Sequence, residues 1–130
     1  MKRIVLIILL LLFAFACSST PKATEVSLEQ FHQALADPGT LVLDVRVGMS
    51  LGGDMNFFQN AKQIPLSTID NNLAKIPKDK NIYVVGGDVE KAQKGATVLL
   101  KAGYPSVFVV NGTPDEYVSR FGAEAKPYMK

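Results

Sequence analysis

Cys17 is the only cysteine in the 130-residue chain, and His32 is the only histidine. A single thiol excludes both a disulfide framework and a cysteine-based metal site. Cys17 also stands just beyond an apolar run near the amino terminus, apart from the stretch that can form a domain. His32 has no serine in a nucleophile elbow to activate and no second metal ligand beside it, so it reads as a surface or boundary residue. Asp44 and Arg46, two residues apart after an apolar run, have the look of a catalytic pair. Gly86-Gly87-Asp88 stands directly before a predicted helix, where main-chain N–H groups could hold an anion. The plainer reading is a turn whose aspartate caps the helix, since the Asp88 carboxylate would occupy or repel that spot. Lys91 could supply a point charge there but lacks a bidentate fork; beside Asp88 and Glu90 it reads as solvated helix surface. Phe57-Phe58, near Met49 and Met55, would make an adhesive patch if exposed. Packing over a sheet edge fits those two aromatics equally well.

The ends and the charge bound the rest. Lys2 and Arg3 precede twelve apolar residues, Ile4 to Phe15, the pattern of a secretory signal. As a helix that run reaches about 18 Å, short of a hydrocarbon core of roughly 30 Å. Ala14-Phe15-Ala16-Cys17 resembles a bacterial lipobox, with Ala14 where leucine is usual and a bulky Phe15. The favoured reading is a signal peptide over 1–16, a lipidated Cys17 opening a Ser/Thr/Pro tether over 17–25, and a domain over 26–124. Ordinary secretion and an uncleaved anchor are the alternatives. Lys and Arg number 14 against 12 Asp and Glu; without Lys2 and Arg3 the balance is 12 against 12. A nearly neutral chain without a basic-aromatic stripe gives no nucleic-acid signature, and no metal or cofactor is implied.

Stepping outward from these residues, the elements alternate. Ser27-Leu28-Glu29-Gln30 has the form of a capping box, Leu28, Phe31 and Leu35 share a helical face, and Asp37-Pro38-Gly39 ends that helix. Leu41–Val45, Ile82–Val85 and Val107–Val110 are short apolar runs of the kind buried on both faces of a parallel sheet. Residues 46–62 read as a long loop. Ser67 is a candidate cap for a short helix through Lys75. Asp88 caps a helix from Val89 to Ala102, closed by Gly103, and Pro114 opens a last helix through Phe121. The expected fold class is α/β with a largely parallel central sheet. Function in such sheets lies beyond the carboxyl ends of the strands, here Arg46, Gly86-Gly87 and Asn111-Gly112.

At those ends the sequence resembles the rhodanese-like (sulfurtransferase) family. The resemblance rests on Leu41-Val42-Leu43-Asp44-Val45-Arg46, Ile64-Pro65-Leu66, Lys78 to Val85, Leu99-Leu100-Lys101-Ala102-Gly103-Tyr104, Val107–Val110, and Gly112 followed by Tyr117. It covers Val26 to Gly122 and implies a three-layer fold, helices flanking a largely parallel sheet. It further implies that Asp44 and Arg46 organise strand-end loops. Active members open a six-residue loop with a cysteine thiolate, which converging N–H groups and a helix dipole activate. The corresponding loop here is Gly86, Gly87, Asp88, Val89, Glu90, Lys91, without a nucleophile at its first position. Lys91 stands for the usual arginine, Ala92 for a Ser or Thr, and Tyr117 for a tryptophan. Asn56 to Ala61 replaces the family's Gly-His-Ile-Pro-Gly-Ala stretch, and Thr113 one of two glycines.

The reading drawn from these residues is a module tethered to the membrane through lipid on Cys17, in a bacterial cell envelope and facing periplasm or exterior. It would be catalytically silent and would bind a partner protein or small ligand at the altered rim. The alternative is a sulfurtransferase or sulfur carrier working by an unusual route.

Overall fold

The computed structural model describes residues 19–47 and 55–130. The signal segment, Cys17 and Met49 lie outside the described residues. Among those described, no helix is long and apolar enough to cross a membrane.

Five strands form one sheet, β1 (Thr24–Val26), β2 (Thr40–Asp44), β3 (Lys62–Gln63), β4 (Asn81–Val85) and β5 (Val107–Val110), in the order β1-β5-β4-β2-β3. Every pairing is parallel; Leu43 lies opposite Val84, and Val84 opposite Val109. Helices α1 (Leu28–Ala34) and α2 (Val89–Lys101) connect β1 to β2 and β4 to β5, and α3 (Pro114–Phe121) follows the last strand. This is the α/β architecture expected, with the three apolar runs as its central strands.

Strand alternation sorts the core into two clusters. Leu43, Val45, Ile82, Val84, Val107 and Val109 face α2 and meet Ile69, Ala92, Ala96 and Leu99. Val42, Val85 and Val110 face the other way, toward Phe31, Phe58, Tyr117 and Ala125 around α1 and α3. Burying each such Val, Leu, Ile or Phe contributes about 1.5–3 kcal/mol, so both layers hold the central strands. Gly95 lets α2 approach closely: an added Cβ would meet Val45 Cγ1 at 3.1 Å and Ile69 Cδ1 at 3.2 Å.

The helix starts follow the chain's own chemistry. Ser27 and Gln30 form the full capping box on α1, with Gln30 N–H donating to Ser27 Oγ at 3.1 Å and Ser27 N–H to Gln30 Oε1 at 2.9 Å. Thr113 caps α3, with Pro114 in its first turn. The helix expected from Ser67 to Lys75 is instead two 3-10 segments, Leu66–Asn71 and Leu73–Lys75, and Ser67 caps neither. Asn72 separates them: its Nδ2 donates to the Thr68 carbonyl at 2.8 Å, a local bond that competes with α-helical pairing.

Strands β1 and β3 were not expected. Thr24 and Glu25, placed in the tether by sequence, pair with β5, and Ala23 before them is buried. At the other end Ala125 is buried, and Met129 forms an antiparallel bridge with Phe58, beyond the 124 boundary. Ordered contacts therefore extend to both sides of 26–124. The loop expected over 46–62 ends in that bridge and in β3.

Candidate functional site

The carboxyl ends of β2, β4 and β5 and the start of α2 form one rim. Asp44, the last residue of β2, is fully buried. Its Oδ1 accepts from the Arg46 main-chain N–H and from Arg46 Nε, both at 3.0 Å, and its Oδ2 accepts from Arg46 Nη2 at 2.7 Å. The same Nη2 donates to the Asn56 carbonyl at 2.6 Å, and the guanidinium carbon lies 5.2 Å from the Phe57 ring centroid. Asn56 Nδ2 in turn donates to Asp115 Oδ1 of α3 at 2.7 Å. Both carboxylate oxygens of Asp44 thus accept from Arg46. The pair splints the end of β2 to the returning limb of the loop, and it presents neither a free base nor a free acid.

Beside it, β4 runs into Gly86 and Gly87. Gly86 is buried; an added Cβ would meet Ala92 N and Asp88 O at 3.1 Å and Val45 Cγ2 at 3.4 Å. Its φ lies outside the left-handed region, so space and not backbone conformation favours glycine. Gly87 is open, with nothing near its missing Cβ. Asp88 is extended and caps α2, its Oδ1 accepting from Lys91 N–H at 2.8 Å. A carboxylate therefore occupies the helix N-terminus, where an anion would otherwise be drawn. Lys91 Nζ sits 3.9 Å from Asp88 Oδ2 and is mostly exposed, while Glu90 pairs with Lys94 at 3.3 Å. Val89 is half-buried.

Between this turn and Arg46 opens a cleft of about 530 Å³, walled by Val45, Val47, Met55 and Leu66, with Arg46, Ser67, Gly87 and Lys91 at its edges. Met55 and Leu66 carry no pattern in the sequence that marks them as cleft walls; only the fold brings them together. Among the described residues Ser67 is the one hydroxyl lining it, and no histidine or carboxylate does. Among the described residues no three His, Cys, Asp or Glu are grouped to hold a metal.

His32 is elsewhere, half-buried over α3. Its Nδ1 and the Tyr117 hydroxyl share a hydrogen bond at 2.6 Å, and its ring stacks on Phe121 with centroids 4.1 Å apart. Tyr117 is fully buried. Burial, with smaller contributions from Tyr128 and Glu124, pushes its hydroxyl up to about 12. Phe58 is buried edge-on against Phe31, with centroids 5.2 Å apart, and Phe57 covers Arg46. Packing, not an exposed patch, is the part these aromatics play.

The parallel sheet, the splinted Asp44–Arg46 corner and the strand–loop–helix turn at Gly86 define an α/β domain of one recognised class. The family model described as Rhodanese-like domain matches residues 27–119, and the chain belongs to that family. It is similar to a tRNA uridine(34) hydroxylase of Photorhabdus laumondii, 30% identical over 107 residues, covering 76% of this chain and 29% of that protein. Among solved structures it resembles the reduced CoADR-RHD of Bacillus anthracis, with TM-score 0.66 and 22% identity over 82% of this chain and 18% of that one. It also resembles a rhodanese-like domain protein of Staphylococcus aureus, with TM-score 0.63 and 23% identity over 72% of this chain and 90% of that one. The chain spans less than a third of the hydroxylase and less than a fifth of the Bacillus protein.

Proposed function

We propose that this is a membrane-tethered rhodanese-like domain that does not turn over and that binds a partner protein or small ligand in the rim cleft. The observation that carries the reading is Gly86. The resemblance assigns this position to the sulfur-carrying cysteine, and here it has neither a thiol nor room for a Cβ without displacing the first turn of α2. The Asp88 cap adds negative charge where transferred sulfur and anionic substrates would sit. A cleft of this size with mostly apolar walls suits a ligand with a compact apolar part. Acylation of Cys17 would consume the chain's one thiol and hold the domain at the bacterial envelope, facing periplasm or exterior. The hydroxylation named for the Photorhabdus relative belongs to a protein of which this chain spans 29%.

The test is sulfur transfer from thiosulfate or mercaptopyruvate to cyanide by the full chain and by Cys17→Ser. Both should match a protein-free blank. A clear rate from either would favour the sulfurtransferase reading instead.

A further inference from the structure

The amino-terminal segment leaves the domain along α2, away from the cleft. The Ala23 carbonyl accepts from Gln93 Nε2 at 3.1 Å, and the Pro21 carbonyl from Thr97 Oγ1 at 3.2 Å. Two residues of extended chain advance about 7 Å and four of helix about 6 Å, so the two elements match step for step. They run in opposite senses. Because α2 begins at the rim, each step back from Ala23 toward Pro21 moves away from it. Thr97 lies eight residues into α2, about 12 Å below the rim. Cys17 is four residues before Pro21, a reach of at most about 14 Å. A chain that continues in the direction set by Ala23 and Pro21 carries an anchor at Cys17 toward the lower pole.

That lower pole has its own charge. In a parallel sheet each crossover helix returns to the amino ends of the strands, and cations favour helix carboxyl termini. Lys101 ends α2, Lys75 ends the second 3-10 segment, and Lys78 and Lys80 form the turn before β4. Lys78 Nζ donates to the Ala102 carbonyl at 3.0 Å and Lys80 Nζ to the Pro38 carbonyl at 3.1 Å, which fixes both at this end. Lys22 lies on the exit path itself. Against these five lysines stand Asp37 and Asp79.

Resting on the proposed acylation of Cys17, we infer that the domain stands with this lysine pole against anionic phospholipid headgroups and its cleft directed into the aqueous phase. The direction of exit and the sign of the pole are independent observations, and they select the same face. Whatever occupies the cleft then arrives from solution and not from the bilayer.

The experiment uses the full-length protein purified from membranes and returned to phosphatidylcholine vesicles, with or without phosphatidylglycerol. Intact mass first reports acyl chains on Cys17. A fluorophore is then attached at Pro105→Cys, at the pole, or at Ser67→Cys, in the cleft, and read against headgroup-bound quencher. Quenching should be strong at position 105 and weak at 67, and stronger with phosphatidylglycerol. Lys75→Gln, Lys80→Gln or Lys101→Gln should each lower the ratio of docked to undocked protein roughly fivefold. An acylated chain quenched at position 67 as much as at 105 overturns the orientation and leaves the anchor standing. Indifference to phosphatidylglycerol overturns the lysine contact. Unmodified Cys17 overturns the anchor and this inference together.

Discussion

A thiol installed at Gly86 tests whether the missing atom or the surrounding turn underlies the proposed lack of turnover. A Cβ at this position comes within 3.1 Å of two backbone atoms, Ala92 N and Asp88 O. Those atoms are joined by the first-turn hydrogen bond of α2, Ala92 N–H donating to the Asp88 carbonyl at 3.2 Å. Neither can swing aside as a side-chain tip would, so the helix start must shift by a few tenths of an ångström. Overpacking of this kind costs about 1–3 kcal/mol. Replacing glycine returns about 0.4–1 kcal/mol through the less flexible unfolded chain, so net destabilisation of about 0.5–2 kcal/mol is expected. At about 4–8 °C per kcal/mol for a domain of this size, the melting midpoint falls by several degrees. Calorimetry on Gly86→Ala isolates the Cβ, and Gly86→Cys adds the sulfur. The cyanide assay on Gly86→Cys should remain at the blank, because Asp88 still holds the helix N-terminus. A Gly86→Cys protein that melts no lower than the parent and transfers sulfur would refute the reasoning.

Other parts of the structure carry their own expectations. Asp44→Asn leaves the Arg46 guanidinium, whose side chain is 8% exposed, without its counter-charge; urea titration should show a loss of about 3–5 kcal/mol. Ser27→Ala removes the α1 cap and should cost about 1 kcal/mol by the same titration. The raised Tyr117 hydroxyl, about 12 when folded against about 10 when unfolded, makes the unfolded state lose its proton first as pH rises. Its stabilising effect is complete below pH 10 and is lost by about pH 12, on the order of 2–3 kcal/mol, and Tyr117→Phe should flatten that fall. Gln93→Leu with Thr97→Val should speed amide exchange at residues 22–25 while leaving β4 and β5 protected, since the bonds removed run only from α2 to Pro21, Ala23 and Glu25.

Elements with local signals were legible in the sequence. Pro114 marked the start of α3, the capping box that of α1, and apolar runs marked β2, β4 and β5 to within a residue or so. What was hidden depends on distant partners. Thr24-Glu25-Val26 has no strand pattern of its own and becomes β1 only because β5, more than eighty residues on, offers an edge. Lys62-Gln63 is too short to show any alternation, and Ser67 looks like a cap until Asn72 interrupts the helix it would begin. Of the rim, the Gly86 turn and the Asp44–Arg46 corner could be located from the chain. The grip of Arg46 on Asn56 and the choice between exposure and burial for Phe57-Phe58 could not, because both depend on where the loop returns.

The sheet order has a further consequence for a crowded surface. Its two outer strands are the shortest, three residues in β1 and two in β3, whereas the strands they cover run to four or five. Each outer strand is too short to offer neighbouring copies more than a brief template for edge-to-edge strand addition. On the proposed membrane tether, where molecules share one plane and collide often, such short margins, with Glu25 and Lys62 in them, work against edge-to-edge aggregation.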